Sequence, residues 1–252
     1  MSESVALVTG GARRIGRAIV GALAEAGFAV AIHYRHSRSE AEELAEAVRE
    51  KGARSVILDA DLADAEAVGT LVPRAVSALG PVTLLVNNAS IFEPDDVADL
   101  GLELWEKTFA INLRTPAMLA RDVAAALPEG QRGAIVNILD QRVLRPNPHF
   151  FSYTLTKSAL ATATRTMAQA LAPRIRVNAV APGPIIVGPR QSAEDFARQS
   201  AATLLGHGPS PADVAAAVLY LATATGVTGQ ILAVDAGQNL QWRTVDVDGI
   251  PE

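Results

Sequence analysis

The chain has 252 residues, 49% apolar and 4% aromatic, with no cysteine, so disulfides and thiolate metal sites are excluded and no metal site is expected. A net charge of −5, from 22 basic and 27 acidic residues, argues against a nucleic-acid partner. No apolar stretch reaches the roughly 20 residues a membrane helix needs. The N-terminal MSESVALVTGG lacks the basic and apolar regions of a secretory signal, so no membrane contact and a cytoplasmic location are expected.

Taken in chain order, strands are predicted at Val5–Thr9, Ala29–Tyr34, Ser55–Leu58, Thr83–Asn87, Ala134–Leu139, Arg176–Val180 and Ile231–Val234. Between them, amphipathic or Ala-rich patterns predict helices at Arg14–Ala26, Glu40–Lys51, Ala65–Leu79, Leu104–Leu127, Thr156–Leu171 and Ala212–Leu221. The strands are almost wholly apolar, which calls for helices on both sheet faces. Repeated β-α units with short links make the fold class α/β, a single-domain Rossmann-like doubly wound parallel sheet. Residues 1–239 read as one domain and 240–252 as a tail, with two readings open: a cap on a neighbouring subunit's site, which Trp242 favours, or a disordered end. The Pro-rich segment 185–209 follows a strand end and reads as an active-site lid with a short helix near Glu194–Thr203.

Two parts of this pattern carry chemistry. The first strand runs into Thr9-Gly10-Gly11-Ala12-Arg13-Arg14-Ile15-Gly16 and then a helix, a turn whose glycines let backbone amides approach a pyrophosphate. The second strand ends in His33-Tyr34-Arg35-His36-Ser37, and no acid stands between Gly27 and Ser39. Basic and hydroxyl groups there (His33, Arg35, His36, Ser37, Arg38), with Arg13 in the turn, favour a ribose 2′-phosphate, hence NADP(H). Tyr153 and Lys157 are four residues apart and share a helix face, so the ammonium is expected to lower the tyrosine's pKa for proton transfer.

With Asn87-Asn88-Ala89 after the fourth strand and Asn112 in the next helix, these features resemble the short-chain dehydrogenase/reductase family from Val5 to Gly237. The resemblance implies a seven-stranded sheet ordered 3-2-1-4-5-6-7, with Tyr153 as proton donor. It implies that Lys157 binds the nicotinamide ribose and tunes Tyr153, and that Asn112 holds a relay water. The implied cofactor cradle is Gly10, Arg13, Arg14, Ile15, Gly16, Arg35, His36, Ser37, Asp61, Leu62, Asn87, Ala89, Tyr153, Lys157, Pro182 and Gly183. A homotetramer formed through the helices at Leu104–Leu127 and Thr156–Leu171 is implied in the same way.

The chain departs from most of that family at two positions. Asp140 stands thirteen residues before Tyr153, where Ser is usual, and Arg14 stands where Gly is usual. A carboxylate would oppose the negative charge that develops on a ketone oxygen. Reduction of a C=N bond instead needs a proton on nitrogen, which a carboxyl sharing a proton with Tyr153 can supply, the two titrating as a coupled pair. Both departures, with Asn87-Asn88-Ala89-Ser90-Ile91-Phe92, resemble the pteridine reductase and dihydromonapterin reductase branch, also described as alternative dihydrofolate reductases. That resemblance implies a pterin or folate substrate bound by Arg14, Ser90, Phe92, Asp140 and Tyr153, with Phe92 stacked on the heterocycle. Two other readings stay open: reduction of another carbonyl or imine, such as a 3-oxoacyl group or ketone, and a nucleotide-binding regulator without turnover. His149 reads as a solvated loop histidine.

Overall fold

The computed structural model describes residues 4–188 and 190–243. Seven strands alternate with helices: β1 (Val5–Val8), α1 (Arg14–Glu25), β2 (Ala29–Tyr34), α2 (Arg38–Glu50), β3 (Ser55–Asp59), α3 (Ala65–Leu79) and β4 (Val82–Asn87) form the first half. The second half is α4 (Leu102–Phe109), α5 (Thr115–Ala126), β5 (Gly133–Ile138), α6 (Phe151–Leu171), β6 (Ile175–Pro182), α7 (Ala193–Ala201), α8 (Pro211–Thr223) and β7 (Ile231–Val234). The strands form one parallel sheet in the order β3-β2-β1-β4-β5-β6-β7, as the resemblance implied.

Strand alternation sends successive apolar side chains to opposite faces, and both faces are covered. Ala6, Val8, Leu84, Val86 and Val136 pack against α1, α2 and α8 on one side. Val5, Leu7, Leu85, Ile135 and Val177 pack against α3 and α5 on the other. Each such Leu or Ile contributes about 1.5–3 kcal/mol by leaving water. Helix starts are set locally by caps: Asp64 accepts from the amides of Glu66 (2.9 Å) and Ala67 (3.4 Å), while Ser210 and Asp213 form a reciprocal capping box at α8.

The expected helix Leu104–Leu127 differs from the structure. It begins at Leu102 and widens into a π-turn at Ala110–Arg114 before continuing as α5. The turn carries Asn112, and a single wide turn inside a helix is a common device for redirecting a side chain. The helix carrying Tyr153 starts at Phe151, five residues earlier than predicted. Its first turn is held from a distance, because the Asp95 carboxylate accepts from the Ser152 amide (3.1 Å) and hydroxyl, and the Asp95 carbonyl accepts from the Phe151 amide (3.2 Å). Such a cap, 57 residues away in the chain, leaves no local signal. The expectation for the tail falls mostly outside the described residues; within them Trp242 is exposed. No helix among the described residues is long and apolar enough to cross a membrane.

Candidate active site

A cleft of about 840 Å³ opens along the C-terminal ends of the strands, lined from Arg13–Ile15 past Ser90 and Phe92 to Asp140, Tyr153, Lys157 and Pro182–Gly188. Its floor begins at the glycine turn. Gly10 has a φ of 61°, and a Cβ on Gly16 would lie 2.1 Å from the Gly10 carbonyl oxygen, so the turn closes only around glycine. The amides opening α1 have no side-chain cap, which leaves them to an anion. Asn88 pins the turn with two donor bonds, to the carbonyls of Thr9 (2.9 Å) and Gly10 (3.0 Å).

The end of β2 holds two surprises. His33 is buried and does not face a phosphate. Its Nδ1 accepts from the Gly10 amide (3.0 Å), its Nε2 donates to the Ala60 carbonyl (3.1 Å), and burial pulls its pKa down to about 4. Arg35 is exposed but pairs with Asp61 at 2.7 Å, and Asp61 also accepts from the Ala63 amide at 3.0 Å. His36 is exposed and Ser37 half-buried beside them, Leu62 is buried in the core, and Arg38 pairs with Glu42 along α2.

At the other end, the Tyr153 hydroxyl donates to Asp140 Oδ2 at 2.9 Å. Lys157 is buried, donates to the Ile138 carbonyl (2.7 Å), and its Nζ lies 5.6 Å from the Tyr153 ring centre. Burial holds the Tyr153 hydroxyl well above the ordinary tyrosine range, and the charge and hydrogen bond of Asp140 add to this. The lowering expected from Lys157 is not found; the charge that opposes the rise is that of Arg142. Burial also pulls the Lys157 ammonium down to about 8, with Asp140 opposing.

Of the expected site residues, Gly10, Gly16, Arg35, His36, Ser37, Asp61, Leu62, Asn87, Ala89 and Asn112 do not line the cleft itself, and the two asparagines among them are committed elsewhere. Asn87 points along the sheet and donates to Asn137 Oδ1 (2.8 Å). Asn112 spends its amide on Ser90 Oγ (3.1 Å), the Ile91 amide (3.0 Å) and carbonyl (3.0 Å), and Thr156 Oγ1 (3.3 Å). It thereby holds the segment that presents Phe92 in place. Ala89 donates to Thr9 Oγ1 (3.0 Å). Gly183 packs where a Cβ would meet Asp235 Cα at 2.7 Å, with buried Pro182 before it.

Over the cleft lies an aromatic layer. Phe92 and Phe150 stack with centres 3.9 Å apart and planes 8° apart, and Phe92 meets the edge of Tyr153 at 4.6 Å. Arg142 and Arg190 flank both rings at 4.9–5.9 Å. Arg14, whose φ is 52°, donates to the carbonyls of Ile186 and Val187 (3.2 Å each) and so ties the phosphate turn to the expected lid. Arg190 pairs with Glu93 (2.7 Å) and donates to the Phe92 carbonyl. His149 is exposed.

A family model described as enoyl-(acyl carrier protein) reductase matches residues 10–239. A short-chain type dehydrogenase/reductase of Picea abies is 34% identical, over 93% of this chain and 92% of its own. The chain belongs to the short-chain dehydrogenase/reductase family. Within it, the 3-oxoacyl-[acyl-carrier-protein] reductase FabG of Staphylococcus aureus is 33% identical over 92% of this chain and 96% of its own. The crystal structure of FolM alternative dihydrofolate reductase 1 from Brucella canis, complexed with NADP, is 50% identical with a TM-score of 0.95, covering 98% of each chain. The protein is thus an oxidoreductase of this family.

Sequence reasoning missed the bracing role of His33, the cap at Asp95, the second ring at Phe150, and the two guanidinium groups of Arg142 and Arg190. For Asp95, Arg142 and Phe150 the sequence signal was nearness to Phe92, Asp140 and Tyr153; His33 stood only among the basic residues ending the second strand, and Arg190 only in the Pro-rich segment. Each acts through contacts distant in the chain or through a left-handed backbone, as at Phe150 (φ 59°).

Proposed function

We propose that the protein is an NADPH-dependent reductase of a pterin-type substrate, taking a dihydropterin or dihydrofolate to its tetrahydro form. The observation that carries this reading is the Asp140–Tyr153 hydrogen bond set beneath the exposed Phe92 ring. NADP(H) is the cofactor in two neighbours 50% identical to this chain, the Brucella canis and Brucella suis FolM proteins. The residues here fit it. The uncapped start of α1 and the glycine turn would hold the pyrophosphate, Arg35 and Ser37 the 2′-phosphate, and Lys157 the nicotinamide ribose.

When bound, NADPH supplies the hydride that the carbon of a C=N bond accepts. Tyr153 and Asp140 share a proton across 2.9 Å and deliver it to the nitrogen, and the open cleft lets solvent return a proton to the pair. Phe92 stacks on the flat heterocycle, adding about 1 kcal/mol beyond burial. Ser90 and Arg14 lie at the same edge of the cleft, as donors for ring nitrogens or cofactor phosphate. A second reading, reduction of a 3-oxoacyl group, is favoured by the similarity to FabG. It is opposed by a carboxylate where the oxyanion would form.

NADPH oxidation with a panel of dihydropterin, dihydrofolate, a 3-oxoacyl thioester and simple ketones tests the assignment. Turnover of the reduced pterins is expected. Turnover of the carbonyl compounds without pterin would establish the second reading.

A further inference from the structure

Asp140 brings a carboxylate into a buried site whose tyrosine must give up a proton, and such a charge needs a nearby counter-charge. The charged and titratable groups that line the cleft with it are Tyr153 and Lys157 from α6, Arg142 from its own turn, Arg13 and Arg14 from the glycine turn, and Arg190 with Glu93 across the aromatic layer. Lys157 feels the Asp140 charge but donates to the Ile138 carbonyl; Arg13 pairs with Glu40 at 3.8 Å, Arg14 holds the Ile186 and Val187 carbonyls, and Arg190 holds Glu93 and the Phe92 carbonyl.

Arg142 is different. Its backbone amide donates to Asp140 Oδ1 at 2.8 Å, and its Nε lies 3.9 Å from the same oxygen. Its guanidinium carbon sits 5.3 Å from the Phe92 ring centre and 4.9 Å from that of Phe150. Its Nη1 donates to Asn147 Oδ1 and the His149 carbonyl, both at 3.2 Å, so it also holds the loop that delivers Phe150. Among the described residues it is the cation that forms an ion pair with Asp140.

We propose that Arg142 is a positioning residue for proton delivery, fixing the Asp140 carboxylate against Tyr153 and linking that pair to the aromatic layer on which a flat substrate stacks. The inference rests on the reading of Asp140 and Tyr153 as the proton-donating pair. The amide bond alone would orient Asp140. The side chain adds a positive charge beside the Tyr153 hydroxyl, and it adds a mechanical tie between the rings and the acid. A cation this close to the tyrosine favours its ionised form. Arg142 opposes the upward shift that burial and Asp140 impose on Tyr153.

The test compares Arg142→Met with Arg142→Lys, with circular dichroism verifying the fold of both. Ionisation of Tyr153 is followed by phenolate absorbance in the NADP+ complex, as a difference from the matching Tyr153→Phe protein. Arg142→Met should move that ionisation to higher pH. The alkaline limb of the kcat/KM profile for dihydropterin reduction should rise by the same amount, with kcat falling several-fold. Arg142→Lys should keep both titrations near their original position. Superimposable titrations with only a raised pterin KM would reduce Arg142 to a loop brace and overturn the proposal, as would a Lys variant that shifts as far as Met. If the wild-type protein turns over no pterin, the functional reading fails, while the Tyr153 titration still decides the role of Arg142.

Discussion

His33 gives the account a quantitative handle through pH. Its ring is a neutral bridge, accepting from the Gly10 amide and donating to the Ala60 carbonyl, and a second proton would abolish the acceptor at Nδ1. The folded-state pKa is pulled from 6.5 to about 4, chiefly by burial. Because the depressed group is a base, the unfolded chain takes up the proton first as pH falls. The stability linked to His33 is therefore complete above about pH 6.5 and is lost between there and about pH 4. A depression of that size corresponds to about 3 kcal/mol in all, of which about 2 kcal/mol is gone at pH 5. Urea unfolding at about pH 7.5 and about pH 5 measures it, with His33→Gln as the reference because glutamine keeps a donor and an acceptor without titrating. Carboxylates contribute to both proteins alike, so the wild type should lose about 2 kcal/mol more than the variant over that interval. Equal losses in the two proteins would refute the buried neutral bridge. NADPH affinity should hold over that interval and weaken only as pH approaches about 4, where the folded-state ring takes up its second proton and the brace on the glycine turn is lost.

Other perturbations separate the parts of the cleft. Phe92→Ala should raise the KM for a dihydropterin about fivefold, from the loss of about 1 kcal/mol of stacking, while the NADPH dissociation constant stays unchanged in a fluorescence titration. Arg35→Asp should weaken NADPH by about tenfold or more and NADH much less, because one charge-assisted contact to phosphate contributes about 1.5–3 kcal/mol; equal losses would remove the 2′-phosphate role. Gly16→Ala forces a Cβ into the Gly10 carbonyl, 2.1 Å away, and should cost about 1–3 kcal/mol in thermal or urea unfolding together with NADPH affinity.

Both apolar sheet faces and the Tyr153–Lys157 pair were legible because they rest on local patterns, whereas the strand order and the place of Asp140 came through the family resemblance. The nearly unbroken apolar runs in Val5–Val8 and Val82–Asn87 report a sheet buried on both sides, and a four-residue spacing reports one helix face. Asn112 was found by its motif, but its π-turn and its grip on Ser90 and Ile91 depend on a segment 21–22 residues away. His33 read as one more basic residue near a phosphate. Only the register of β2 between β1 and β3 turns its ring inward, where burial makes it neutral. Phe150 gave no signal, because a phenylalanine in a left-handed conformation at a helix start is disfavoured locally and is held here by its stacking on Phe92 and the grip of Arg142.

The central claim, that Asp140 tunes a short-chain reductase site for C=N rather than C=O reduction, is tested most directly by Asp140→Ser. The measurement is the ratio of kcat/KM for a dihydropterin to that for a simple ketone, before and after the substitution. A ratio that collapses, with pterin reduction impaired and ketone reduction unchanged or improved, is the predicted result. Pterin reduction undiminished by the serine would contradict it.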